Sequence, residues 1–229
     1  MTTQHIRVYK DLMGENDKWA GETRALLREK SVVMVNIIGS PGCGKTTLLE
    51  RSAKSLSGRK RFAVLEGDLE TTRDAERLAA LHVPVSQLLT SGACHLEAKL
   101  VNHALRDLPL DELDLVVVEN VGNLVCPAEF DIGESAKIAV LSVTEGEDKP
   151  LKYPLLFREA SSIVLTKTDL LPHLDFNLER CIGFIRQVNA GIPLFQVSAK
   201  SGSGLDAWLE WLVNLPVAVE VGRGVSPSR

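Results

Sequence analysis

The chain of 229 residues has no apolar run long enough to cross a membrane, and its opening, Met1-Thr2-Thr3-Gln4-His5-Ile6-Arg7, lacks the apolar core of a signal peptide. Both absences predict a cytoplasmic protein. It has no basic excess: 26 Lys and Arg against 30 Asp and Glu give a formal charge of −4, which argues against a general nucleic-acid binder that needs a basic face. Only four cysteines occur, Cys43, Cys94, Cys126 and Cys181, and in a reducing compartment they read as metal ligands or free thiols rather than disulfide partners. Internal repeats are absent, and no shift in composition marks a second full domain.

What is there begins with Gly39-Ser40-Pro41-Gly42-Cys43-Gly44-Lys45-Thr46, a gapless match to G-x-x-x-x-G-K-[ST]. Glycines let the backbone curl with its N–H groups inward, and the helix that follows points its positive end at the same spot, so a triphosphate fits. Gly42, Cys43, Gly44, Lys45, Thr46 and Thr47 are the expected phosphate contacts. Lys45 is the point charge on the β and γ phosphates, and the Thr46 hydroxyl completes the shell of a Mg²⁺ ion. The apolar run before the loop reads as a strand and Thr46-Thr47-Leu48-Leu49-Glu50 as a helix, which is the context the motif requires.

Short apolar runs alternate with amphipathic stretches along the rest of the chain. Strands are predicted over 32–38, 62–66, 83–89, 114–119, 138–143, 163–166 and 194–197, and helices over 74–81, 96–105, 177–188 and 205–215. The pattern specifies an α/β, three-layer P-loop NTPase fold with a mostly parallel central sheet of about seven strands and helices on both faces. Residues 1–30 form a lead-in with a mildly amphipathic helix over 14–29, residues 31–216 the nucleotide-binding domain, and residues 217–229 a flexible tail. Trp208 and Trp211 in the last helix are expected to pack on the sheet rather than bind a base.

Two strand ends speak to the base. Thr166-Lys167-Thr168-Asp169 resembles the [N/T]KxD motif of GTPases, in which the carboxylate accepts two hydrogen bonds that guanine offers and adenine does not. Ser198-Ala199-Lys200 matches the S-A-K element that supports guanine binding in the same superfamily. Together they favour GTP over ATP, with Thr166 standing where Asn is commoner. Acidic residues at two other strand ends, Asp68 and Glu119, are expected near Mg²⁺, with Lys45, Asp68, Asp74 and Glu119 as the candidate catalytic groups. For Asp74 a solvated capping role is the alternative. Asn123 stands where many signalling GTPases carry a water-orienting Gln, which predicts slow hydrolysis.

A second site is suggested by Cys94 and His95 at a helix start together with Cys126, seven residues beyond Glu119. Two thiolates and an imidazole are a soft donor set that suits Zn²⁺ or Ni²⁺ rather than Mg²⁺, and three ligands leave a coordination position open. His103 shares a helix face with His95 and Lys99 and is a possible outer ligand, a plain surface histidine being the alternative. Cys43 reads as a space-filler in the phosphate loop, and Cys181 as core.

With the phosphate loop, the run Glu66-Gly67-Asp68, Cys94-His95-Leu96, Glu119-Asn120-Val121-Gly122-Asn123-Leu124-Val125-Cys126-Pro127-Ala128-Glu129-Phe130-Asp131, the segment from Glu145 to Pro154 and Thr166-Lys167-Thr168-Asp169, the chain resembles the HypB family, hydrogenase nickel-incorporation GTPases of the SIMIBI class. The resemblance implies a GTP/GDP-dependent homodimer that delivers nickel during [NiFe] hydrogenase maturation, with Zn²⁺ or Ni²⁺ on Cys94, His95 and Cys126 at or near the dimer interface. It also implies two partners, a nickel-delivery accessory protein and the hydrogenase large-subunit precursor. Departures limit the transfer: the N-terminal Cys-rich or His-rich nickel tracts of many members are missing, and Lys99 replaces a histidine found in some. Leu170, Leu171 and Leu174 are candidate dimer contacts, with core burial as the alternative, and Lys149 and Lys152 could approach a phosphate. The alternatives are a urease-type nickel GTPase, whose Cys-Pro-His motif is absent here, a P-loop small-molecule kinase, and a regulatory switch with structural zinc.

Overall fold

In the computed structural model residues 3–67, 80, 81, 83–89 and 93–218 are described, with side chains from Met13 onward. Asp68, Asp74, nearly all of the helix expected over 74–81, and the tail beyond residue 218 lie outside the described residues.

Seven strands form one sheet: β1 (Val33–Gly39), β2 (Phe62–Glu66), β3 (Val85–Gln87), β4 (Leu115–Gly122), β5 (Ala136–Ser142), β6 (Ser162–Thr166) and β7 (Leu194–Gln196). Their order is β3-β2-β4-β1-β5-β6-β7, and every pairing is parallel, where the sequence had promised only a mostly parallel sheet. Parallel strands need both faces covered, and β1 shows how the sequence meets that need. Val35 and Ile37 point to one core with Leu48, Leu49 and Leu56 of α2 (Lys45–Leu56), while Met34 points to the other with Leu27 of the N-terminal helix. Helices on both faces give three layers.

The N-terminal helix α1 (Thr3–Lys30) is longer than the stretch over 14–29 that periodicity marks. It lies against α3 (Ala98–Arg106), with Thr23 fully buried and accepting a hydrogen bond from Asn102 Nδ2 at 3.1 Å. Farther along the chain, the short helices α4 (Cys126–Glu129), α5 (Lys149–Lys152) and α6 (Pro154–Glu159) precede α7 (Leu178–Val188), which starts where the Asn177 side chain caps Arg180 N–H. The last helix, α8 (Leu205–Val213), packs Trp208 on the sheet with no exposure, its indole N–H donating to Ser52 Oγ at 3.1 Å, and Trp211 stacks beside it. Trp208 is therefore core, and Trp211 is partly buried against it.

Strand order turns toward β2 and β3 on one side of β1 and toward β5 on the other, so a crevice opens at the C-terminal end of β1. The phosphate loop leaves β1 at that point.

Candidate nucleotide site and metal centre

The loop between β1 and α2 can be built only with glycine at fixed places. Gly42 and Gly44 take positive φ of 72° and 96°. At Gly39 a Cβ would lie 2.6 Å from Cys43 Sγ and 2.7 Å from the Val140 carbonyl, so the loop folds tightly onto β5. Cys43 is buried, and burial pushes its thiol up to about 11, which fits the space-filling reading. Lys45 Nζ approaches the Gly39 carbonyl at 3.5 Å and Glu119 Oε1 at 4.0 Å, with both side chains nearly inaccessible. Thr46 Oγ1 donates to the same Glu119 oxygen at 2.9 Å, while Thr47 stays exposed on the next position of α2.

Glu119 is not at a strand end, as the sequence suggested, because β4 continues to Gly122. Ile37 pairs with Glu119 and Gly39 with Gly122, so β4 spends three steps where β1 spends two, a bulge over Asn120 and Val121. Beyond it Gly122 abuts the phosphate loop: a Cβ there would meet Pro41 Cγ at 2.7 Å. The hydroxyl and carboxylate at Thr46 and Glu119 are hard oxygen donors of the kind Mg²⁺ takes. Glu66, the register neighbour of Glu119 on β2, is a fully buried carboxylate that sequence reasoning passed over. Its only sequence signal is an acidic residue closing an apolar strand.

Of the two candidate base-recognition motifs, the first meets the phosphate loop in space and the second meets the first. Thr166 Oγ1 donates to the Cys43 carbonyl at 2.6 Å, and Lys167, at φ 58°, places Nζ 2.7 Å from the Gly42 carbonyl. Ser198 Oγ donates to Asp169 Oδ1 at 2.7 Å. Arg51 on α2 holds the third motif from behind, with Nε on the Ala199 carbonyl and Nη2 on the Lys200 carbonyl at 2.9 Å. Nothing local in the sequence marks Arg51, since its partners lie about 150 residues away.

Cys94, His95 and Cys126 converge, their ligand atoms all within 4.8 Å of one another. Cys94 Sγ lies 3.6 Å from His95 Nδ1. The His95 ring stacks on Phe130 at 3.8 Å, and burial holds the imidazole below its ordinary pKa, in the neutral form that ligates metals. The Cys94 thiol is raised by its hydrogen bond with Cys126 and by burial, and a dication within reach of both sulfurs would favour their thiolates. Two sulfurs and one imidazole fit Zn²⁺ or Ni²⁺.

Amides frame this cluster. Asn123 Nδ2 donates to the Cys94 carbonyl at 3.1 Å while its Oδ1 accepts Val125 N–H at 2.9 Å. Asn120 Oδ1 accepts Leu96 N–H at 3.3 Å, and its Nδ2 donates to Asn36 Oδ1 at 3.1 Å. From α1, buried Asn16 accepts Ala98 N–H at 3.0 Å and donates to the Asp131 carbonyl at 2.8 Å, and Arg24 pairs with the Asp131 carboxylate at 2.5 Å. His103 lies edge-on to Trp19 at 5.2 Å, and it is not part of the converged set among the described residues. Lys149 and Lys152 form ion pairs with Glu145 and Asp148 at 3.5 and 2.8 Å. Leu170 and Leu171 pack partly buried on the core, Leu174 is more exposed, and Cys181 is core, its thiol pushed up to about 12 by burial.

A family model described as the CobW/HypB/UreG nucleotide-binding domain matches residues 33–196. The hydrogenase maturation factor HypB of Azotobacter vinelandii is 51% identical over 207 residues, covering 90% of this chain and 68% of its own length. The crystal structure of HypB from Helicobacter pylori in complex with nickel aligns with a TM-score of 0.83 at 36% identity, over 87% of this chain and 94% of that one. HypB from Archaeoglobus fulgidus aligns with a TM-score of 0.82 at 34% identity, over 87% and 97%.

Proposed function

This chain belongs to the HypB family within the CobW/HypB/UreG proteins, and from that premise we propose that it is a slow GTPase in which nucleotide state controls metal binding during [NiFe] hydrogenase maturation. One observation carries the reading: Glu119, which accepts the Thr46 hydroxyl, and Cys126, which joins Cys94 and His95, lie on one continuous segment that runs from within β4 to α4. A change at the phosphate end of that segment therefore reaches a sulfur ligand seven residues later.

In this reading the loop N–H groups from Gly42 to Thr47 hold the phosphates and Lys45 neutralises their charge. Thr46 and Glu119, with Asp68, would hold Mg²⁺, which when bound would offset the negative charge of the phosphates. Asp169 accepts the two guanine donors, the Lys167 stem covers the base, and Ser198, Ala199 and Lys200 close the base edge. The amide of Asn123 is engaged with Cys94 and Val125 instead of an attacking water, which supports slow turnover. Cys94, His95 and Cys126 take the transferred ion, Ni²⁺ or Zn²⁺, and a second copy of the chain supplies the homodimer. Nickel arrives from a delivery protein and leaves toward the hydrogenase large-subunit precursor.

Coupling of about 1–3 kcal/mol, the usual size of such linkage, corresponds to a 5- to 150-fold change in metal affinity. The test is Ni²⁺ and Zn²⁺ titration of the wild type and of Cys126→Ala, each with GDP and with a nonhydrolysable GTP analogue, while the mass in solution is recorded. The expected result is at least tenfold weaker binding in Cys126→Ala and, in the wild type, an affinity or mass that differs between nucleotides. Equal affinity and equal mass in both states contradict the proposal.

A further inference from the structure

His95 is bracketed by two asparagines of one short segment. Asn123 holds the carbonyl of Cys94 on one side, and Asn120 holds the N–H of Leu96 on the other. The two differ in setting. Asn120 is buried within a chain of polar groups that continues through Asn36 to Glu134, so it is fixed to the sheet. Asn123 stands at the outer end, next to Gly122, and Gly122 touches the phosphate loop at Pro41. Its second bond, to Val125 N–H, precedes Cys126 by one residue. A single amide thus fixes the backbone of one sulfur ligand and the approach to the other.

We infer that Asn123 is the positioning residue through which the phosphate loop sets the relative placement of Cys94 and Cys126. The inference rests on the metal-switch reading above and names the joint that reading needs. The path is contiguous: Pro41 against Gly122, Gly122 bonded to Asn123, and Asn123 hydrogen-bonded to Cys94 and Val125. A shift of Gly122 by part of an ångström moves the amide, and the amide holds both thiol-bearing segments. Asn123 itself donates no atom to the metal and lies outside the phosphate loop. Its loss should therefore remove the dependence of metal binding on nucleotide while leaving each site able to bind alone.

Two variants separate this from a general loss of structure. Asn123→Ala removes both bonds. Asn123→Asp keeps the acceptor for Val125 N–H and sets a carboxylate against the Cys94 carbonyl, so only the bridging bond is lost. Each is titrated with Ni²⁺ in GDP and in GTP analogue beside the wild type, following the near-ultraviolet sulfur-to-nickel charge-transfer band, and GDP affinity is measured separately. In the wild type the ratio of the two nickel affinities is expected at fivefold or more. In both variants the ratio is expected to fall within twofold of one, with the band retained and GDP affinity within about twofold of wild type. Variants that keep the wild-type ratio overturn the role of Asn123 and leave the switch reading standing. A wild-type ratio of one overturns both.

Discussion

Ser198 Oγ donates to the Asp169 carboxylate at 2.7 Å, which orients the carboxylate that the proposed function sets against the guanine edge. The first prediction concerns that edge. Asp169→Asn replaces an acceptor with a donor, so the two guanine N–H groups lose their partner while the carbonyl of xanthine gains one. Competition binding should show GTP affinity falling by about 100-fold or more, with a xanthosine nucleotide binding better than GTP. Unchanged GTP affinity would remove Asp169 from the base site.

Arg51 supports the same end of the site. Its guanidinium holds the carbonyls of Ala199 and Lys200, and truncation frees that loop. Arg51→Ala should weaken GTP and GDP equally, by about tenfold, as expected when charge-assisted hydrogen bonds to a binding loop are lost. Arg51→Lys, with a point charge instead of a fork, should fall between. Calorimetric titration with both nucleotides checks this. A larger effect on GTP than on GDP would place Arg51 at the γ-phosphate instead.

Asn16 is the stitch between α1 and the metal segments. Asn16→Ala leaves Ala98 N–H and the Asp131 carbonyl without their partner, at a cost of about 1–3 kcal/mol. Urea unfolding should show a lower midpoint with the slope unchanged. The same variant should bind Zn²⁺ more weakly, because the start of α3 and the turn after Phe130 are no longer held together. Wild-type stability would show that these bonds are readily replaced by water.

The four thiols should divide cleanly by environment. Cys43 and Cys181 are buried with pKa values pushed up to about 11 and about 12, so at pH 8 about one in a thousand Cys43 groups, and fewer Cys181, are thiolate. Iodoacetamide at pH 8 should label exposed Cys94 and half-buried Cys126 in the native protein and the other two only in denaturant. Raising the pH from 8 toward 11 should increase Cys43 labelling only as its thiolate forms. Zn²⁺ should protect Cys94 and Cys126. Labelling of Cys94 at the same rate with and without zinc would contradict the metal centre.

Much of the fold is legible because its signals are local. The apolar run of β1, the glycines at 42 and 44 and the Lys45-Thr46 pair sit within fifteen residues, and strand, turn and helix follow from them. Cys94, His95 and Cys126 could be grouped from donor chemistry alone. The extension of β4 through Gly122 could not, because a bulge depends on the register against β1. Arg51, Asn16 and the bond from Asn123 to Cys94 were hidden for a similar reason: each links segments far apart in the chain through an ordinary polar side chain. Asn123 reads in the sequence as a substitute for a water-orienting glutamine, whereas its amide is engaged with the segments that carry Cys94 and Cys126.

The central claim is that phosphate loop and sulfur cluster are thermodynamically linked, and linkage must be reciprocal. The most direct measurement is the affinity of the nonhydrolysable GTP analogue for the metal-free and the Ni²⁺-loaded wild-type protein under one buffer and ionic strength. The account predicts two affinities that differ by about fivefold or more, in the ratio by which the analogue, compared with nucleotide-free protein, changes nickel affinity. Identical affinities for the analogue in the two states would contradict it.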